Sequence, residues 1–138
     1  MSLLDVVRTE FDRANIQPAS IKQVSSGSMG SGEVIAELGS LVLRVLSDRG
    51  ELFLDVAPAA FPSEFQYFAD VEIAFGWRTM ESVLKGSHES LNSVLNRFAQ
   101  HCSELEKAFG GDAARWYLAK VSATRAKRAE LRWPSHGA

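Results

Sequence analysis

The chain has 138 residues, 46% hydrophobic and 23% charged, which predicts one globular domain at ~100–200 residues per domain with about two-thirds of its unfolded surface buried. Fifteen Lys+Arg against seventeen Asp+Glu give a net charge of −2, which excludes a uniformly basic nucleic-acid binder. A single cysteine, Cys102, excludes an internal disulfide and a Cys-rich zinc site, and three histidines leave little material for a metal centre.

The first segment predicts a helix. Leu3, Leu4, Val7, Phe11 and Ala14 recur at three- and four-residue steps, Ser2 with Asp5 has the form of a capping pair, and Pro18 bars continuation. Asp5 interrupts the N-terminus early and no long apolar run follows, so no secretory signal is expected. No window approaches the ~20 apolar residues of a membrane span. Single-cysteine usage fits a reducing compartment, and the expected location is the cytoplasm.

A strand is expected from Ser20 to Ser25, then a flexible connector from Ser25 to Gly32, seven of whose eight residues are Ser or Gly. Residues Glu33 to Ala57 predict three strands joined by tight turns at Gly39-Ser40 and Ser47-Asp48-Arg49-Gly50. Closing the first hairpin at Leu38 and Leu41 pairs Ala36 with Leu43 and Val34 with Val45. Closing the second at Leu46 and Glu51 pairs Val45 with Leu52 and Leu43 with Leu54. One face is then apolar across all three strands, and a slip of one residue would mix the faces. The other face carries Glu33, Ile35, Glu37, Val42, Arg44, Leu46, Glu51, Phe53 and Asp55, the mixed character of a sheet wet on one side.

After Pro62, Ser63 with Gln66 suggests a second capping box. It opens a helix through Phe65, Phe68, Ala69 and Ile73, which Gly76 stops. Residues 77–86 read as a loop or short turn. From Ser87 the clearest helix runs through Leu91, Val94, Leu95, Phe98, Cys102, Leu105 and Phe109, and Gly110-Gly111 ends it. Asp112 caps a last helix through Trp116, Tyr117 and Val121, and residues 133–138 form a frayed tail. The fold expected is a single α+β domain spanning residues 1–138. An antiparallel meander of three to four strands, about residues 20–57, has its apolar face covered by the first helix and the C-terminal helices, chiefly 87–109.

Catalytic signatures are weak. The Gly/Ser loop precedes a strand and lacks a Gly-Lys-Ser/Thr, so it does not read as a phosphate cradle. His88-Glu89 is half of a zinc-protease motif, but residue 92 is Asn. His101 and Cys102 are helix neighbours and do not face each other. No serine sits in a nucleophile elbow. A non-enzymatic role without a cofactor is the expectation.

Charge is unevenly distributed. Residues 113–138 carry six Lys/Arg and one Glu, whereas residues 1–112 carry nine Lys/Arg and sixteen Asp/Glu. The basic helix, with Arg125, Lys127, Arg128 and Arg132, can meet phosphates or can be a solvated helix end favoured by its dipole. In the acidic body, Phe53 to Trp77 holds seven of the thirteen aromatics. Acids interleaved with exposed rings suit capture of a basic protein. The acids steer encounter, and the rings anchor it. Glu51, Phe53, Asp55, Tyr67, Asp70, Glu72 and Trp77 are the candidate partner contacts. The competing reading packs Phe53 under a neighbouring helix or against Arg44 and leaves the acids as solubility charges.

The run Gly39 to Val56, continued through Phe65-Gln66-Tyr67-Phe68-Ala69-Asp70-Val71-Glu72 to Gly76-Trp77, resembles a segment of small bacterial immunity proteins that neutralise contact-dependent and polymorphic toxins. The resemblance implies a stoichiometric inhibitor that occludes the active or substrate-binding surface of a cognate toxin domain. Two alternatives stand beside it: an export chaperone for a secreted effector, a class of small acidic α+β dimers, and a nucleic-acid-binding accessory protein using the last helix.

Overall fold

The computed structural model describes residues 2–26 and 32–132. The expected Gly/Ser connector lies largely, and the expected frayed tail wholly, outside the described residues. Helix α1 (Leu3–Arg13) opens with the predicted capping box: Ser2 and Asp5 each accept a hydrogen bond from the other's backbone N–H, satisfying two of the unpaired donors of the first turn. Five strands follow, β1 (Ser20–Ser26), β2 (Gly32–Leu38), β3 (Leu41–Asp48), β4 (Glu51–Pro58) and β5 (Gln66–Tyr67). They form one antiparallel sheet in chain order. Then come α2 (Phe68–Ala74), α3 (Met80–Lys85), α4 (Leu91–Phe109) and α5 (Ala114–Arg132).

The β2–β3 pairing is the predicted one, Val34 with Val45, Ala36 with Leu43 and Leu38 with Leu41. The β3–β4 pairing differs by two residues. Asp48 pairs with Glu51, so Leu46 faces Phe53, Val45 faces Leu54 and Leu43 faces Val56. The cause is a tighter turn. Arg49 and Gly50 both take positive φ, 53° and 86°, the pattern of a two-residue type I′ turn whose twist matches the strands. An even-numbered shift preserves the faces, so Val34, Ala36, Leu43, Val45, Leu54 and Val56 still point inward together and are buried.

Helices α1 and α4 cover that face. Val7 and Phe11 of α1 and Leu91, Leu95, Phe98, Leu105 and Phe109 of α4 join the strand residues in one core, each fully buried apolar side chain contributing about 1.5–3 kcal/mol. Ser90, rather than Ser87, caps α4 by accepting from the N–H of Ser93. Part of the stretch read as loop forms α3, capped by Thr79.

The second capping box does not form. Gln66 and Tyr67 pair with Val56 and Asp55 as β5, so the helix begins only at Phe68, with no side-chain cap. The spacing of Phe65 and Phe68 looked helical, but hydrogen bonds to the edge of β4 override it. Phe65 instead lies under the Arg44 guanidinium, 4.3 Å from the ring centre. The outward face is therefore not wet throughout, and Val42, Asp55 and Ala57 on it are buried.

The β2–β3 turn is locked to the end of α4. The Ser40 hydroxyl donates to the Glu106 carbonyl at 3.0 Å. A Cβ at Gly110 would lie 2.6 Å from that carbonyl and 2.7 Å from Ser40 Cβ, closer than either neighbour tolerates. Gly110→Ala is expected to destabilise the fold by about 1–3 kcal/mol through overpacking. Urea unfolding should show a lowered midpoint with an unchanged slope.

Candidate functional site

Helix α2 carries two carboxylates into the interior: Asp70 is 0% and Glu72 1% exposed. They were expected as surface contacts, as was Asp55, which is also buried. All three expectations are corrected by the same cause. Helix α2 is wedged between the sheet and α5, so both its apolar and its polar residues are covered, with Phe68, Ala69, Val71 and Ala74 buried alongside the acids. A buried charge persists only when it is paired and hydrogen-bonded, and each of these acids meets an arginine from another element.

Asp70 accepts two bonds from Arg128 of α5, from Nε at 2.6 Å and from Nη2 at 3.1 Å. Asp55 accepts from Nε and Nη2 of Arg44 on β3 at 3.0 and 2.8 Å. Burial nevertheless pushes the Asp55 carboxyl above its ordinary range, against the pull of Arg44. Glu72 accepts from Nε and Nη2 of Arg97 on α4 at 2.8 and 3.2 Å, and from Nη1 of Arg78 at 3.4 Å. Glu89, just before the α4 cap, accepts from the same Arg97 through Nη1 and Nη2 and from Arg78 Nη1 at 3.0 Å. The bonds from Arg97 hold the Glu89 carboxyl below its ordinary value. Burial works against the Arg97 charge, but the bonds to Glu72 and Glu89 together outweigh it and raise its pKa.

Local structure explains how Arg78 arrives. Gly76 has φ +79°, its N–H donates to the Ile73 carbonyl at 3.1 Å, and the Trp77 N–H donates to the Glu72 carbonyl at 2.8 Å. This is a Schellman ending, which turns the chain back on the helix it closes and returns Arg78 to Glu72.

Above this lattice lies a cleft of about 250 Å³ between the tip of β4, the α3–α4 connection and the end of α5. Phe53, Tyr67 and His88 form its aromatic wall. The Phe53 ring stands edge-on to His88 at 4.9 Å and 6.3 Å from Tyr67, so Phe53 packs against the α3–α4 connection and is half-buried. Burial raises the pKa of the Tyr67 phenol. Glu51, 55% exposed, sits 3.8 Å from His88 Nδ1. Arg132, one turn beyond Arg128, is exposed and lines the cleft.

Of the seven candidate contacts, Glu51, Phe53, Tyr67 and Glu72 thus line one cleft, while Asp70 and Asp55 hold arginines beneath or beside it. Trp77 is not among the lining residues. Its ring stacks on His101 at 4.0 Å, and its Nε1–H donates to Glu104 at 2.7 Å. The arginines 78 and 97, His88 and Glu89 were missed as site residues. The one signal available was the opposite charge of the two ends of the chain, because Arg128 of the basic helix is the partner of Asp70. That pairing also draws Arg128 away from a basic surface formed with Arg125, Lys127 and Arg132. Cys102 is half-buried, its thiol pushed up to about 11 chiefly by burial, which disfavours the reactive thiolate.

Among the described residues no group of three or more His, Cys, Asp or Glu is arranged to hold a metal ion, and no helix is long and apolar enough to cross a membrane. No protein-family model matches the chain, and no curated protein and no solved structure matches it significantly.

Arg97→Met leaves Glu72 buried with only the longer contact to Arg78 and is expected to cost about 3 kcal/mol, whereas Glu72→Leu combined with Arg97→Met recovers most of that loss. Denaturant unfolding of the two single variants and the double variant measures the coupling directly. Glu89 binds a proton less readily in the folded than in the unfolded chain. Its contribution is complete above its ordinary value of 4.5 and disappears as the pH falls through the lower folded value. Glu89→Gln should therefore remove part of the stability loss seen below pH ~4.5 in an acid titration.

Proposed function

We propose that this protein is a non-enzymatic, stoichiometric inhibitor that binds a cognate toxin domain and occludes its active or substrate-binding surface, and that it binds through the cleft. The observation that carries this reading is a cleft whose aromatic and charged walls are already packed and hydrogen-bonded within the fold. Phe53, Tyr67 and His88 are held against one another above charged groups already hydrogen-bonded within the fold. Binding energy at protein interfaces concentrates in a few aromatic and arginine anchors set in well-packed pockets, and side chains that are already ordered lose little freedom on association. The cleft is smaller than the ~300–1,000 Å³ of ordinary small-molecule pockets, which suits one or two side chains of a protein.

The resemblance of residues 33–77 to immunity proteins supports the same reading. The acidic landing surface first expected is narrower than the sequence implied. With Asp55, Asp70 and Glu72 engaged by arginines, Glu51, beside His88 at the rim, is the exposed acid among the seven candidates.

The test uses the protein encoded immediately upstream in the native genome, produced with and without this chain. A one-to-one complex that abolishes the partner's toxicity is expected. Phe53→Ala should weaken the complex by about 2 kcal/mol, roughly 30-fold, while Trp116→Ala, on the exposed side of α5, leaves it unchanged. Titration calorimetry decides it, and equal affinities for wild type and Phe53→Ala would remove the cleft from the interface.

A further inference from the structure

The hydrogen-bond inventory of the cleft is unbalanced, and the imbalance has a sign. Glu72 and Asp70 are buried and occupied. Glu89 accepts from Arg97 and Arg78 on both oxygens. The arginines are not exhausted in return. Arg78 bonds only through Nη1, so its Nε–H and Nη2 donors make no hydrogen bond among the described residues. Arg128 bonds through Nε and Nη2, which leaves Nη1. Arg132 has no ion-pair partner among the described residues. Three guanidinium groups from two elements thus line one cleft with donors to offer. The acceptor side offers mainly Glu51 at the rim.

Planar guanidinium groups recognise carboxylates through paired N–H donors, and here Arg97 already displays the arrangement with Glu72 and Glu89. We propose that the cleft receives an acidic side chain of the partner protein, an Asp or Glu flanked by an apolar residue. Its carboxylate bonds to Arg78, Arg128 and Arg132, and the apolar neighbour packs on Phe53 and Tyr67. This rests on the cleft being the docking site and specifies what enters it. It reverses the sign of the partner surface expected from the sequence: the anchor is an acid, not a base. The ion pairs formed are partly shielded from water by the aromatic wall, where they are worth more than exposed surface pairs.

The test titrates the full chain, at constant ionic strength, with the blocked peptide acetyl-Gly-Glu-Phe-Gly-amide, with its Lys-for-Glu counterpart, and with inorganic phosphate, following backbone amide shifts by NMR. Saturable shifts at Phe53, Tyr67, Arg78 and Arg128 with the Glu peptide, and none with the Lys peptide, are expected. Arg132→Glu removes no hydrogen bond or ion pair among the described residues and should weaken the Glu peptide at least ~10-fold, whereas Arg132→Lys, which keeps the charge but loses the paired donors, should weaken it by a smaller factor. Equal response to both peptides overturns the inference, and so does phosphate binding more tightly than the Glu peptide, which would make the ligand a free oxyanion. If the peptide fails while Phe53→Ala still weakens the inhibitor complex, only the acidic anchor falls. If Phe53→Ala has no effect on that complex, the docking reading itself fails.

Discussion

A carboxylate that cannot reach water must find its counter-charge inside the protein. Asp70 and Glu72 lie two residues apart on a seven-residue helix, both essentially without exposure. Helix α2 itself carries no cation, so the chain must bring them from outside it: Arg128 from 58 residues on for Asp70, and for Glu72 both Arg78 from six residues on and Arg97 from 25. That requirement fixes where α4 and α5 lie on α2. Apolar burial alone would let two helices slide or rotate over a flat contact. Arginine forks with bonds of 2.6–3.2 Å do not. Such pairs add little net stability against a hydrophobic alternative, and what they supply here is a single arrangement of the helices.

The same lattice makes the cleft. Arg78, Arg97 and Arg128 are held by Glu72, Glu89 and Asp70 directly below or beside the Phe53–Tyr67–His88 wall. A site floored by paired, hydrogen-bonded charges is ordered by the fold itself, which is what the proposed docking of a protein partner calls for. The fold and the cleft therefore share one cause. The groups that position α5 also set the polarity of the surface that α5 helps to form.

Local rules made much of the fold readable. The Ser2–Asp5 cap, the Gly39-Ser40 hairpin and the α4 stripe from Leu91 to Phe109 each depend on residues within a few positions of one another. The β3–β4 register differs by two residues from the one the sequence predicts because Ser47 and Asp48 are turn formers by composition, while Arg49 at positive φ completes the tighter turn. Helix α2 starts later than the spacing predicts because Phe65 keeps a helical interval while packing across space against Arg44. The site was harder still. Polar residues on a helix are ordinarily solvated, so Asp70 and Glu72 looked exposed, and periodicity carries no sign that a second layer covers them. The charge asymmetry between residues 1–112 and 113–138 was visible, but it reads as two surfaces rather than one buried pairing until Arg128 is seen on Asp70.

The buried lattice is tested most directly by hydrogen exchange at individual arginine side chains. If Glu72 and Asp70 hold Arg97 and Arg128 as described, the Nε–H protons of these two residues exchange with water far more slowly than that of Arg125, on the exposed side of α5. Exchange of all three at one rate would mean that the carboxylates and guanidiniums are not locked together, and neither the helix placement nor the cleft would then have its stated cause.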